Sequence, residues 1–147
     1  MKNLLYISSV TEKSNNIGVW KKIQTQIKLF NKENINVNFF DINIKNKNRI
    51  INAIIKRLPF TGIYNWKIDK KLIKNCDCIY IRYNFSDYQF IKFLKRAKKI
   101  NNKIKILLEI PTYPYDNEIK INILNFLLII KDRWNRRKLK KYVDSII

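Results

Sequence analysis

Short apolar runs alternate with amphipathic stretches along this chain, and that alternation limits the fold more tightly than any single motif. The run "NLLYIS" (3–8) ends in small polar residues, as a buried strand does. In "VWKKIQTQIKLF" (19–30), Val19, Ile23, Ile27 and Phe30 recur at helical spacing, with lysines and glutamines between them. "INVNFFDI" (35–42) reads as a second strand, and "NRIINAIIKRL" (48–58) as a second helix that Pro59 stops. An irregular stretch with Gly62 and several aromatics follows (59–69). "CDCIYIRY" (76–83) then carries the apolar and β-branched residues that suit a sheet. Ser86 fits the N-cap of a third helix, on which Phe90, Phe93, Ala97 and Ile100 form one face. "KIKILLEI" (103–110) is a further strand, closed by the loop "EIPTYPYDNE" (109–118). A long helical stretch comes next, apolar in "INILNFLLII" (121–130) and basic in "KDRWNRRKLKKY" (131–142). The final "VDSII" begins another strand.

Strands and helices in turn predict an α/β fold, a mostly parallel sheet covered by helices in three layers. A length of 147 residues, 46% of them hydrophobic, suits one domain with a real core. In open parallel sheets ligands collect beyond the carboxyl ends of the strands. Three loops fall at that edge: 9–18, 84–87 and 111–118.

Net charge is +20, from 31 Lys and Arg against 11 Asp and Glu, a field that attracts phosphates, anionic lipid or nucleic acid. The chain is also saturated with Ile, Lys and Asn and has only two glycines, as an AT-rich coding bias would produce. Much of the lysine then belongs to solvated faces, which argues against a dedicated nucleic-acid protein. Histidine is absent, which removes the usual general base near neutral pH and most zinc sites. Cys76 and Cys78, at strand spacing, would share one face. With no second pair to complete a metal site, they read as reduced thiols of a cytosolic protein. The N-terminus has too short an apolar core for a signal peptide, and the longest apolar run (123–130) is about half a membrane span.

Several edge residues admit two readings from spacing alone. Gly18, at the start of the first helix, lets a phosphate approach free N–H groups, or it simply follows a cap at Asn16 or Ser14. Arg82, ending the third strand, forks onto a phosphate or carboxylate, or pairs with Glu109 on a neighbouring strand end. Glu109 binds sugar hydroxyls or takes a proton, or satisfies loop amides. Pro111 and Pro114 stiffen the loop that carries Tyr113 and Tyr115. The basic stretch 131–141 fits an anionic membrane surface, with the preceding helix dipping into the interface, or a core helix whose second half is solvated.

Taken together, "SNNIGVWKKIQTQIKLF", the Arg82-Tyr83 strand end, "EIPTYPYDNE" and "RWNRRKLKKYVDSII" resemble the N-terminal half of bacterial GT-B glycosyltransferases. The likeness is to the group 1, family 4 type that builds surface polysaccharides. It implies a Rossmann-like acceptor-side domain over residues 1–147, incomplete at its C-terminus and without the donor-binding domain. It implies Gly18 against donor phosphates, with Arg82, Glu109, Thr112 and Tyr113 along the acceptor. No catalytic residue, metal or cofactor is assigned, a nucleotide-sugar being the substrate of the full enzymes. The partners implied are a separately encoded donor domain and a glycan or lipid-linked acceptor. The place implied is the cytoplasm, at the inner face of the plasma membrane. The alternative, from another class, is a basic peripheral module that binds anionic membrane or nucleic acid without catalysis.

Overall fold

The computed structural model describes residues 2–14, 16–43, 52, 54–55, 58–62, 64–83, 85–111 and 123–147, with the backbone alone at 123 and 124. Five strands form one sheet in which every pairing is parallel: β1 (Lys2–Ser8), β2 (Ile35–Asp41), β3 (Cys78–Arg82), β4 (Lys105–Glu109) and β5 (Ser145–Ile146). Their order is β2-β1-β3-β4-β5. The helices are α1 (Ile17–Lys32), α2 (Lys70–Asn75), α3 (Tyr88–Ile100) and α4 (Ile123–Arg136), with a 3-10 turn at Leu139–Lys141.

The expected α/β, three-layer architecture is the one observed. Its strand order is that of the flavodoxin-type doubly wound sheet, with one strand beyond β1, where a full Rossmann sheet has two. β1 is central and packed on both sides, which explains its unbroken apolar run. Leu5 and Ile7 enter a large core with Ile79, Ile81, Ile106 and Leu108, covered by Ile73 of α2, Phe90, Phe93 and Leu94 of α3, and Leu139. Leu4 and Tyr6 point the other way, into a smaller core with Tyr80 and Ile23 of α1. Asn34, left-handed at φ 59°, turns the chain from α1 into β2.

Several local expectations shift. The N-cap of α3 is Asp87, whose carboxylate accepts from the Phe90 N–H at 2.8 Å, while the Ser86 N–H donates to Asp132 Oδ1. Asp and Ser cap equally well, so "SD" left the choice to the packing. α2 falls between the stretch read as irregular (59–69) and the third strand, at residues given no element in the sequence reading, and Asp69 caps it. That helix places Cys76 at its C-terminal cap, ahead of β3. The two cysteines therefore enter different cores and do not share a face. Both are free thiols, pushed up to about 11 by burial. Of the predicted helix 48–58, the described residues Asn52, Ile54 and Ile55 are helical and the Leu58 N–H donates to the Ile54 carbonyl at 3.3 Å, while 48–51, 53, 56 and 57 lie outside the described residues. Among the described residues, no helix is long and apolar enough to cross a membrane.

Candidate functional site

Parallel pairing brings Ser8, Arg82 and Glu109 level at the carboxyl edge of the three central strands. Arg82 and Glu109 are both buried, and the Arg82 guanidinium donates to Glu109 Oε1. The second carboxylate oxygen, Oε2, accepts from the Tyr80 hydroxyl at 2.9 Å. Lys22 of α1 stands 3.9 Å from Oε1, with most of its side chain in water. Of the two readings that spacing left open for Arg82, pairing with Glu109 is the one observed.

The tyrosines beneath this pair extend it. Tyr80 stacks on Tyr6 at 4.9 Å, and the Tyr6 hydroxyl donates to Gln26 Oε1 at 2.7 Å. Burial first, then the Glu109 charge, holds the Tyr6 hydroxyl well above its ordinary pKa; burial and the Glu109 bond do the same to Tyr80. Neither phenol ionises near neutral pH. Both oxygens of Glu109 are engaged by the protein, while Arg82 Nε is a buried donor with no acceptor among the described residues. Sequence reasoning missed Tyr6, Tyr80 and Gln26. A usable signal was there, because Tyr80 lies two residues before Arg82 and so shares its face.

A second polar cluster lies on the opposite face. Asp87 is buried beside Tyr83 and packs against Gly62; a Cβ on Gly62 would meet the Asp87 carboxylate at 2.8 Å. Burial raises the Asp87 pKa, opposed by the Phe90 N–H and by the charge of Lys131. Asp132 of α4 accepts from Ser86 and pairs with Arg136 at 2.7 Å.

These bonds decide which way α4 faces. Lys131, Asp132 and Asn135 turn inward with Leu128, while Phe126, Leu127, Ile130 and Trp134 are 47–63% exposed. At 100° per residue those four fall within one arc of about 100°. Arg133, Arg137 and Lys138 border them, with the Lys138 ammonium 5.7 Å from the Trp134 ring centroid. Hydropathy would have buried the first group's opposite, so this stripe was hidden from a sequence reading.

The remaining assigned residues come out differently. Gly18 is exposed in the first turn of α1, with nothing within 4 Å of an added Cβ, and the Asn16 cap makes no side-chain bond. Thr112 and Tyr113, with most of the loop around them, lie outside the described residues.

No protein-family model and no curated protein matches the sequence. A provisional pilus assembly-related protein of Burkholderia pseudomallei superposes over 100% of this chain and 77% of its own, with a TM-score of 0.52 and 9% identity. A response regulator of Thermotoga maritima covers 100% of this chain and 85% of its own, with a TM-score of 0.42 and 12% identity. At these identities the likeness is one of fold.

The glycosyltransferase resemblance is corrected by these findings. The Burkholderia structure, whose fold it shares, is described as a pilus assembly-related protein and not as a glycosyltransferase, and no family model or curated protein supports a role in polysaccharide synthesis. Its implied partners, a donor domain and a glycan or lipid-linked acceptor, fall with it. The quoted segments resembled that family because an apolar strand ending at a basic or acidic residue, followed by a capped helix, recurs in any doubly wound sheet. The alternative of a basic membrane or nucleic-acid module finds no support either. Exposed lysines are spread over helices on both faces of the sheet, on α1, α2 and α3, and are not gathered on one surface.

Proposed function

We propose that the chain is a docking domain, whose outer α4 face receives a partner protein with an apolar patch set in an acidic rim. The observation that carries this reading is the stripe Phe126, Leu127, Ile130 and Trp134, exposed on a helix whose Lys131, Asp132 and Asn135 are turned inward. Aromatic and aliphatic anchors within a polar border have the composition of a binding hot spot. The bonds of Asp132 to the Ser86 N–H and of Lys131 to the Thr61 hydroxyl fix the helix, so the anchors are presented with little ordering cost. The basic border asks for acidic groups opposite. A net charge of +20 opposes a second copy as the occupant. Free Cys76 and Cys78 suit a reducing, cytosolic setting.

A photo-crosslinking residue at Ile130, introduced in the source cells, identifies the partner. The recovered protein is then prepared pure and titrated directly. The expected result is saturable binding to a protein acidic around its contact patch, weakened at least about tenfold by Trp134→Ala. Three results would count against the reading: affinity untouched by Trp134→Ala and Ile130→Ala, a dimer of this chain that Trp134→Ala dissolves, or retention on anionic lipid vesicles with no protein captured.

A further inference from the structure

A cleft of about 750 Å³ opens between α3 and the segment that carries Gly62 and Trp66, on the face opposite α1 and away from the α4 stripe. That segment is tied to the strand ends: the Asn65 N–H donates to the Ile42 carbonyl at 2.7 Å, just past β2. The cleft thus adjoins the carboxyl edge of the sheet, where open α/β folds place their ligands. Its size is that of a small-molecule site.

The lining is of one sign. Lys67, Lys92 and Arg96 contribute three cations; among the described residues no carboxylate is in the lining, Asp41 and Asp87 lying behind Asn43 and Gly62. Among the described residues, none of the three forms an ion pair. Lysines elsewhere are paired where acids are near, as Lys98 and Lys105 are with Asp144. Arg96 is held in place, because its Nη2 donates to the carbonyls of Trp66 and Ile68, each at 3.0 Å. Its Nε and the indole Nε1 of Trp66 are buried donors with no acceptor among the described residues. Three like charges around one concavity repel one another and concentrate anions there. An anion inside would supply the missing counter-charge.

We propose that this cleft binds a small polyanion, of the diphosphate or polycarboxylate class, between Lys67, Lys92 and Arg96. Lys67 and Lys92 provide mobile point charges from the two walls, and the fixed guanidinium of Arg96 orients the ligand. Gln89 is also in the lining and offers an amide to the ligand's uncharged part, while the Asn43 amide nitrogen is already held by the Ser9 carbonyl and Asp41 Oδ1.

The test is a titration of the full chain with inorganic pyrophosphate and, separately, with citrate, followed by calorimetry and by the indole N–H signals of the three tryptophans. Saturable binding of either anion is expected, shifting the Trp66 signal while leaving those of Trp20 and Trp134 in place. The stronger of the two identifies the class. Lys92→Glu, at an exposed position that folding does not need, should weaken binding at least tenfold. Lys99→Glu, on the same helix but outside the cleft, makes the same change in net charge and should leave affinity within about twofold. Equal losses in the two variants would reduce the effect to general attraction by a basic chain and overturn the proposal. So would binding that shifts Trp20 or Trp134 but not Trp66, or no saturable binding of either anion.

Discussion

At the carboxyl edge of the sheet, Arg82 and Glu109 pair in a buried setting; on the outer side of α4, Phe126, Ile130 and Trp134 are 47–63% exposed. The two regions invert what composition suggests. The charged groups belong to the interior and hold the fold, while the apolar ones are turned outward to where a partner can reach. A charged residue at a strand end is therefore a poor guide to a site until its partner is known, and an apolar helix is a poor guide to the core until its buried side is known.

Breaking the sealed region should give the largest effect. Arg82→Met leaves the Glu109 carboxylate buried without its cation and should cost about 3–5 kcal/mol in urea unfolding. Adding Glu109→Leu to that change should recover most of the loss, since an apolar pair of similar volume replaces both charges. If the single and double variants are equally unstable, the two residues are not acting as a pair.

Gly62→Ala comes next. The added methyl meets the Asp87 carboxylate well inside contact distance, so the Gly62 segment or the Asp87 cap must shift. A loss of about 1–3 kcal/mol is expected in the same assay, and an unchanged midpoint would show that the cap yields freely.

Acid titration separates two carboxylates of opposite sign. Burial raises Asp144, but its bonds with Lys98, the Ile106 N–H and Lys105 outweigh this and leave its pKa lowered. Its contribution is present above the ordinary carboxylate range and is lost as pH falls through the lowered value. Asp87 is raised by burial, so its contribution is full below the ordinary range and is lost as pH rises through the raised one. Asp144→Asn should flatten the acid limb of the stability curve, and Asp87→Asn the decline just above the ordinary range. Exchanged outcomes would reverse these roles.

Trp134→Ala should have the smallest effect on folding, within about 0.5 kcal/mol, because the ring is 63% exposed and rests against Lys138. A loss above about 2 kcal/mol would mean that the stripe belongs to the core.

Much of the fold was legible because each central strand is packed on both sides and so reads as an apolar run. Leu4 to Ile7 and Ile79 to Ile81 are of this kind. Helix faces were legible where polar residues marked the outside, as in α3. In α4 they did not mark it. Residues 123–130 are apolar almost all round, and among the polar residues on the buried side, Lys131 and Asp132 are drawn inward by partners distant in sequence. Ser86, 46 positions from Asp132, supplies one such bond. The cleft was illegible for a related reason, since Lys67 and Lys92 face each other only once α3 and the Gly62–Trp66 segment pack together. The Arg82–Glu109 pair was half visible, because adjacent parallel strands of equal length bring their last residues level.

The separation between a sealed edge and an open helix face is tested most directly by titrating the crosslinked partner into two variants that remain folded by circular dichroism. These are Trp134→Ala and the double variant Arg82→Met with Glu109→Leu. The prediction is an affinity at least about tenfold weaker for Trp134→Ala and unchanged for the double variant. Binding that survives Trp134→Ala but is lost when the edge pair is replaced would contradict it, and would return the site to the strand ends.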